Sequence, residues 1–298
     1  MKSSHRKGTL KIAFLLSVMG LLLLEGCATW PGGPDYRLPP ITDAPTRQWH
    51  PGKIVWHDLL TTDLPAARRF YGELFGWTFR EIDGYTEIHH GGRKIGGLLP
   101  LQPTAEKPVA SQWLMALSVP DLDAALEQVK GSGGRLINGP LDLGPRGTGA
   151  LIADPAGAHL LLLHAQGGDP ADRRPDLGDW LWNEVWALKA KPLVDFYRRL
   201  GHYEAVLEGE DYRVFVGEGR WRAGLRLIDQ PAYAGRWVPV VRVADPAALL
   251  DEVRRLGGEV WRAPGEGAAD EDTALIADDT GALLILQRWT FTAAGEEE

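Results

Sequence analysis

The chain of 298 residues states its folding plan twice. The run DLPAARRFYGELFGW that starts at Asp63 returns as KAKPLVDFYRRLGHY from Lys189, so that Phe70-Tyr71 recurs as Phe196-Tyr197, 126 residues later. Two further landmarks follow in the same order. VPDLDAALEQVKGSGG from Val119 matches VADPAALLDEVRRLGG from Val243, and LIADPAGAHLLLL from Leu151 matches LIADDTGALLILQ from Leu275, each 124 residues apart. The first half also repeats within itself, because a strand-like run leading to Asp63 and a helix returns at Asp121, 58 residues on. Repeats of this kind fold as copies of one supersecondary unit that bury a face against each other, so the plan is four related units in two pairs.

Residues 1–26 stand apart from this plan. Lys2, Arg6, Lys7 and Lys11 precede the apolar run IAFLLSVMGLLLL, the pattern of an export signal, and the run is short for a membrane-spanning helix. Leu24-Glu25-Gly26-Cys27 resembles a bacterial lipobox, with Glu25 an unusual occupant, and the resemblance makes Cys27 the lipidated mature N-terminus. An uncut signal anchor with Cys27 a bystander is the other reading. Cys27 is the only cysteine, so its lipidation leaves no thiol for a nucleophile, a disulfide or a thiolate metal site. The leader carries four basic residues and one acid, so the chain's 32 basic and 40 acidic residues fall to 28 and 39, a formal charge near −11. Nucleic acid is a poor partner for such a surface.

Residues 27–52 hold Pro31, Pro34, Pro39, Pro40, Pro45 and Pro51 and read as an extended tether. Residues 53–165 and 180–289 are the two modules, 166–179 the linker between them, and 290–298 a solvated acidic tail. In the first module, Ala67, Phe70, Tyr71 and Leu74 recur at helical spacing after an Asp63 N-cap, and the helix ends near Gly76. Strand-like TFREI, YTEIHH and KIGGLLPL follow, separated by Asp-Gly and Gly-Gly turns. The second quarter has the same order: WLMALSV, the helix DLDAALEQVKG, then RLIN, GTGALIADP and HLLLLH. Gly131-Ser132-Gly133-Gly134 closes a helix rather than opening one, which makes it a C-cap and turn, not a phosphate loop.

Two strand–helix–three-strand units per module, twice over, with the three duplicated landmarks, resemble the vicinal oxygen chelate superfamily of glyoxalases, extradiol dioxygenases and bleomycin-resistance proteins. The resemblance implies an α+β fold of two tandem glyoxalase-like modules, each of paired βαβββ units whose mixed sheets curl around a pocket. It also implies that the tandem copy replaces the second chain of single-module relatives, giving a monomer with an internal pseudo-dimer.

Metal-using members of that family draw ligands from the first strand of each unit and from the last strand. Transferred to this sequence, those positions fall on Trp56 and Trp182, on Leu114 and Val238, and on Leu161 and Ile285. None offers a lone pair to a divalent ion, so no family-type metal and no cofactor is expected. A register slip of one residue would bring in His57, whose other reading is a locally hydrogen-bonded histidine. His89 and His90 face opposite ways on a strand and cannot chelate together, while His159 shares the parity of Leu161.

Period two places Asp58 beside Trp56 and Glu184 beside Trp182 on the pocket face, with Gln112, His159, Arg236 and Gln287 contributed by other strands. An aromatic wall with one acid suits a small organic molecule, cationic or aromatic. Equally, the indoles fill the cavity and the acids bond to nearby groups. Trp180, Trp182 and Trp186 form a period-two row that lines a pocket or cements the modules together. Three functions follow: a lipid-anchored envelope protein, on the periplasmic or extracellular face, that binds a small molecule without metal; a glyoxalase- or dioxygenase-type lyase or oxidoreductase with an atypical metal or an acid–base pair such as Asp58 with His159; or a structural envelope interaction protein.

Overall fold

A computed structural model describes residues 37–101, 110–266 and 270–291; the leader, Cys27 and the chain beyond residue 291 lie outside the described residues. The first unit runs β1 (Ile54–Thr61), α1 (Leu64–Phe75), β2 (Thr78–Ile82), β3 (Tyr85–His90), β4 (Arg93–Pro100). The second runs β5 (Gln112–Ser118), α2 (Leu122–Gly131), β6 (Arg135–Asp142), β7 (Gly147–Ala153), β8 (His159–Ala165). The second module repeats the order as β9 (Trp180–Ala187), α3 (Ala190–Leu200), β10 (Ala205–Glu208), β11 (Tyr212–Gly217), β12 (Arg220–Leu227), then β13 (Arg236–Val243), α4 (Leu250–Arg255), β14 (Glu259–Arg262), β15 (Thr273–Ala277), β16 (Leu283–Arg288).

Local chemistry sets these boundaries. The Asp63 carboxylate accepts from the backbone N–H of Ala66 at 2.9 Å, Pro65 sits in the first turn, and Gly76 closes α1 at φ 71°, a left-handed conformation that favours glycine. Asp121 caps α2 in the same way, through the N–H of Ala124 at 3.0 Å.

Each module forms one eight-stranded sheet, ordered β2-β3-β4-β1-β5-β8-β7-β6 and β10-β11-β12-β9-β13-β16-β15-β14. The two units of a module meet at an antiparallel seam, β1 on β5 and β9 on β13, while β1–β4 and β5–β8 pair in parallel. The sheets are therefore mixed, as the family resemblance implies. Alternation divides each strand between two faces. Leu59, Trp113, Met115 and Leu162 join helix residues and their second-module counterparts in one core shared by both modules. Trp56, Leu114, Leu161 and Leu163 face the opposite, concave side of the first sheet, and Trp182, Trp186, Val238 and Ile285 that of the second.

The duplicated landmarks are the contacts that join the copies. Tyr71 donates its hydroxyl to Asp278 of the second module at 2.9 Å, and Tyr197 donates to Asp154 of the first at 2.8 Å. Each tyrosine also receives an indole N–H from the seam strand of its own module, Trp113 at 3.2 Å and Trp237 at 2.9 Å. The neighbouring phenylalanines cross in the same manner. A Cβ on Gly134 would lie 2.7 Å from the Phe196 ring, and one on Gly258 would lie 2.7 Å from the Phe70 ring, so both positions need glycine for close approach.

At the centre of this junction equivalent positions meet. His57 Nε2 bonds Asn183 Oδ1 at 2.7 Å, the two residues being 126 apart, and the imidazole stacks on Trp180 with ring centroids 4.2 Å apart. His57 is thus a buried structural residue on the shared-core side of β1, on the opposite face from Trp56. Burial holds the imidazole's pKa down to about 4. A depressed histidine favours the native state above the ordinary pKa near 6.5, and that advantage is lost as pH falls through 4. His57→Gln is therefore expected to remove about 3 kcal/mol of pH-dependent stability change between pH 6.5 and 4; denaturant titrations across this range check it, and parallel pH profiles for the two proteins would contradict it.

Trp180 departs from the single-face row expected of the β9 tryptophans. The pairing of Val240 with Trp182 and of Val241 with Trp180 skips Leu181, a bulge that turns Trp180 into the shared core while Trp182 and Trp186 stay on the concave face. The same bulge lies between Ile54 and Trp56 in β1.

The proline-rich segment also differs from a free tether. Residues 37–50 contain no helix or strand, yet Leu38 donates its N–H to Leu143 at 3.0 Å, Trp49 donates its indole N–H to Ala165 at 2.9 Å, and Ile41 is buried. Leu38 and Ile41 are apolar side chains in a polar run. They bury themselves on the first concave face.

Candidate functional site

On the first concave face, Asp58 is the acceptor at the centre of a buried cluster. Its Oδ1 accepts the Tyr85 hydroxyl at 2.5 Å and the Trp56 indole N–H at 3.1 Å, and its Oδ2 accepts Arg146 Nη1 at 2.8 Å. The Arg146 guanidinium lies over Tyr85 and Trp56, 4.9 and 5.2 Å from the ring centroids, and its Nε reaches the Pro39 carbonyl at 3.2 Å. Burial pushes the Tyr85 hydroxyl well above its usual pKa, so it stays a donor. The site is closed: Leu38 and Ile41 cover it, and the residual cavity beside Asp58, lined also by Leu99, Leu114 and Asn138, is only about 30 Å³. That is room for a water or two rather than for an organic ligand.

The second concave face repeats the residue types with an altered wiring. Glu184 Oε1 accepts from the Trp186 indole and from Arg226 Nε, both at 2.7 Å, and its Oε2 accepts Arg226 Nη2 at 3.0 Å. Trp182 donates to the Tyr212 hydroxyl at 2.6 Å, and Arg226 lies 4.8 Å over the Tyr212 ring. Burial, followed by the Glu184 charge, raises the Tyr212 pKa well above normal. Here the arginine comes from β12 rather than from the turn before β7, and its side chain is 44 % exposed against 0 % for Arg146. Trp182, Trp221, Tyr233 and Trp261 are likewise only partly buried.

Glycine makes both clusters possible. A Cβ on Gly97 would sit 1.7 Å from the Tyr85 hydroxyl, and one on Gly224 would sit 1.9 Å from that of Tyr212. Each tyrosine lies flat across a bare stretch of β4 or β12 to reach its partner. Neither the glycines, the tyrosines nor the arginines are apparent in a search for metal ligands. The signal was present in the duplication, because Tyr85 and Gly97 recur 127 residues later as Tyr212 and Gly224.

The remaining sequence candidates are scattered over these faces. Gln112 pairs with Leu60 at the end of the β1–β5 seam. His159 begins β8, its Nε2 buried without a partner, and burial followed by the charge of Arg135 lowers its pKa to about 4. The Asp58 oxygens accept from Trp56, Tyr85 and Arg146, and no hydrogen bond joins Asp58 to His159 among the described residues. Arg236 pairs across the seam with Trp186, and Gln287 lies further along β16 opposite Thr273.

A divalent metal does not fit these donors. The rows Trp56–Ala116–Leu161 and Trp182–Val240–Ile285 offer no lone pair of the required kind, and each nearby acid is saturated by N–H or O–H donors that include a guanidinium. Among the described residues no group of three or more His, Cys, Asp or Glu is arranged to hold an ion.

Comparison with known proteins places this fold. The profile of the glyoxalase/bleomycin resistance protein/dioxygenase superfamily matches residues 53–162. The anthracycline biosynthesis protein DauV of Streptomyces sp. (strain C5) is 30 % identical over 238 residues, 72 % of this chain and 85 % of DauV. The chain belongs to the glyoxalase/bleomycin resistance protein/dioxygenase superfamily. A further relative, the Mycobacterium tuberculosis protein named "Putative glyoxylase CFP32", is 27 % identical over 247 residues, 80 % of this chain and 95 % of its own. Among solved structures, the Mn(II)-bound glyoxalase of Novosphingobium aromaticivorans superposes with a TM-score of 0.55 at 13 % identity, covering 80 % of this chain and 83 % of that one. At such identity the match speaks for the superfamily fold and not for its manganese.

Proposed function

We propose that this superfamily member is a metal-independent small-molecule-binding protein of the bacterial envelope, in which the second module binds and the first is a filled scaffold. The observation that carries this reading is the contrast between the two concave faces. One is closed by its own Tyr85, Arg146, Leu38 and Ile41; the other presents Trp182, Tyr212, Tyr233 and Trp261 partly exposed around a neutralised Glu184–Arg226 pair. Aromatic walls with a few fixed polar groups are what an organic ligand pocket requires. Since the acid is already paired, the ligand is selected by aromatic contact rather than by attraction of a cation to Glu184. DauV carries a name that ties it to anthracycline biosynthesis, and anthracyclines are fused-ring aromatic compounds, which supports a flat aromatic ligand class. The glyoxylase name of the mycobacterial relative favours lyase chemistry, but the donor set here does not support the metal such chemistry uses.

Calorimetric titration with planar aromatic probes tests the reading. Binding is expected to survive exhaustive chelation and to weaken at least about tenfold on Trp182→Ala, the loss of one stacking wall. Binding that vanished on chelation, or that ignored Trp182→Ala, would refute it.

Attachment to the envelope rests on the basic-apolar leader and Cys27. Cys27→Ser is expected to abolish lipid labelling and move the protein from the membrane to the soluble fraction; membrane retention of the serine variant would favour an uncut signal anchor.

A further inference from the structure

The second concave face carries a positive charge that no acid answers. Arg236 opens β13 with its Nε buried and without a hydrogen-bond partner, while one Nη donates to the Ala232 carbonyl at 2.9 Å. Its guanidinium lies 5.7 Å over the Tyr233 ring, and Tyr233 in turn packs on Trp261 with centroids 5.2 Å apart. Among the described residues no carboxylate pairs with it, the nearby Glu184 being held by Arg226 and Trp186. A partly buried cation without a counter-ion costs stability, so its presence calls for an explanation outside the fold.

Strand register supplies the rest of the geometry. Tyr212 pairs with Arg226, Arg226 with Trp186, and Trp186 with Arg236, so two arginines flank one indole across adjacent strands. In the first module the corresponding positions hold Leu99, Leu60 and Gln112. The duplication has therefore diverged at this row, from neutral residues to a pair of arginines around an indole.

We propose that this row binds a planar aromatic carboxylate, its carboxylate on Arg236 and its ring against Tyr233 and Trp261. The proposal rests on the reading that the second module binds a small aromatic molecule, and adds the sign of the ligand's charge. A guanidinium presents paired N–H donors matched to a carboxylate, and here only one Nη is engaged by the protein, at the Ala232 carbonyl. The same face offers a cationic ligand no unpaired acid, so the chemistry discriminates by charge.

Three probes of one shape separate the two ideas: 2-naphthoate, neutral 2-naphthamide and 2-naphthylmethylammonium, titrated into the full-length protein by calorimetry. The naphthoate is expected to bind at least about tenfold more tightly than the amide, reflecting one charge-assisted pair. Arg236→Gln should bring the naphthoate to the level of the amide, and Arg236→Lys should restore part of the preference, which loss of folding would not do. Equal binding of naphthoate and amide, stronger binding of the ammonium, or an unchanged preference in Arg236→Gln would overturn the charge assignment while leaving aromatic binding intact. Binding of none of the three would remove both.

Discussion

Replacing Asp58 by alanine is expected to destabilise the protein by about 3–5 kcal/mol, although no ligand or reaction is affected directly. The reason is Arg146, fully buried and anchored by Asp58 Oδ2, with its other Nη already lacking a partner. Removing the carboxylate strands a guanidinium under Leu38 and Ile41 and leaves the Tyr85 hydroxyl without its acceptor, although the Trp56 N–H keeps the Tyr85 oxygen at 2.9 Å. Denaturant unfolding measures this loss. The corresponding change in the second module, Glu184→Ala, should cost distinctly less, because Arg226 is 44 % exposed and can turn towards water. A buried ion pair is weak evidence for net stability, so the double change Asp58→Leu with Arg146→Met should recover most of what Asp58→Ala loses. A cost below about 1 kcal/mol for Asp58→Ala would mean that the first face is wetter than its packing indicates.

The two faces also show what was legible beforehand. Duplication, helix caps and strand alternation were readable because each depends on local periodicity, and Asp63, Gly76 and the parity of Trp56, Asp58, Trp182 and Glu184 follow from it. The direction of Trp180 was not readable, since a bulge changes parity and arises from pairing with another strand. Arg146 was hidden for a related reason: it reaches Asp58 from a turn 88 residues away, and no spacing rule connects them. The shared Tyr71–Asp278 and Tyr197–Asp154 bonds explain why the landmarks repeat at all. A motif kept in both copies marked the joint between them, whereas the two concave faces differ in sequence at Leu99 against Arg226 and Gln112 against Arg236.

That joint is where a single side chain carries most. Trp180 stands in the shared core against His57, Trp77 and Trp113 of the other module, with centroids 4.2, 5.0 and 4.9 Å away, and donates its N–H to the Ile95 carbonyl at 2.7 Å. Trp180→Ala removes a partly buried indole that packs on three rings of the other module and leaves the Ile95 carbonyl without its side-chain donor, a cost of about 3 kcal/mol. For a chain of this size that is a fall of about 10 °C in thermal midpoint. Trp182→Ala, two residues along the same strand but on the concave face, should lower the midpoint far less while weakening aromatic ligands. The pair separates junction from site: stability should follow Trp180 and binding should follow Trp182. Equal thermal shifts from the two variants would place Trp182 in the structural core and withdraw it from the proposed ligand surface.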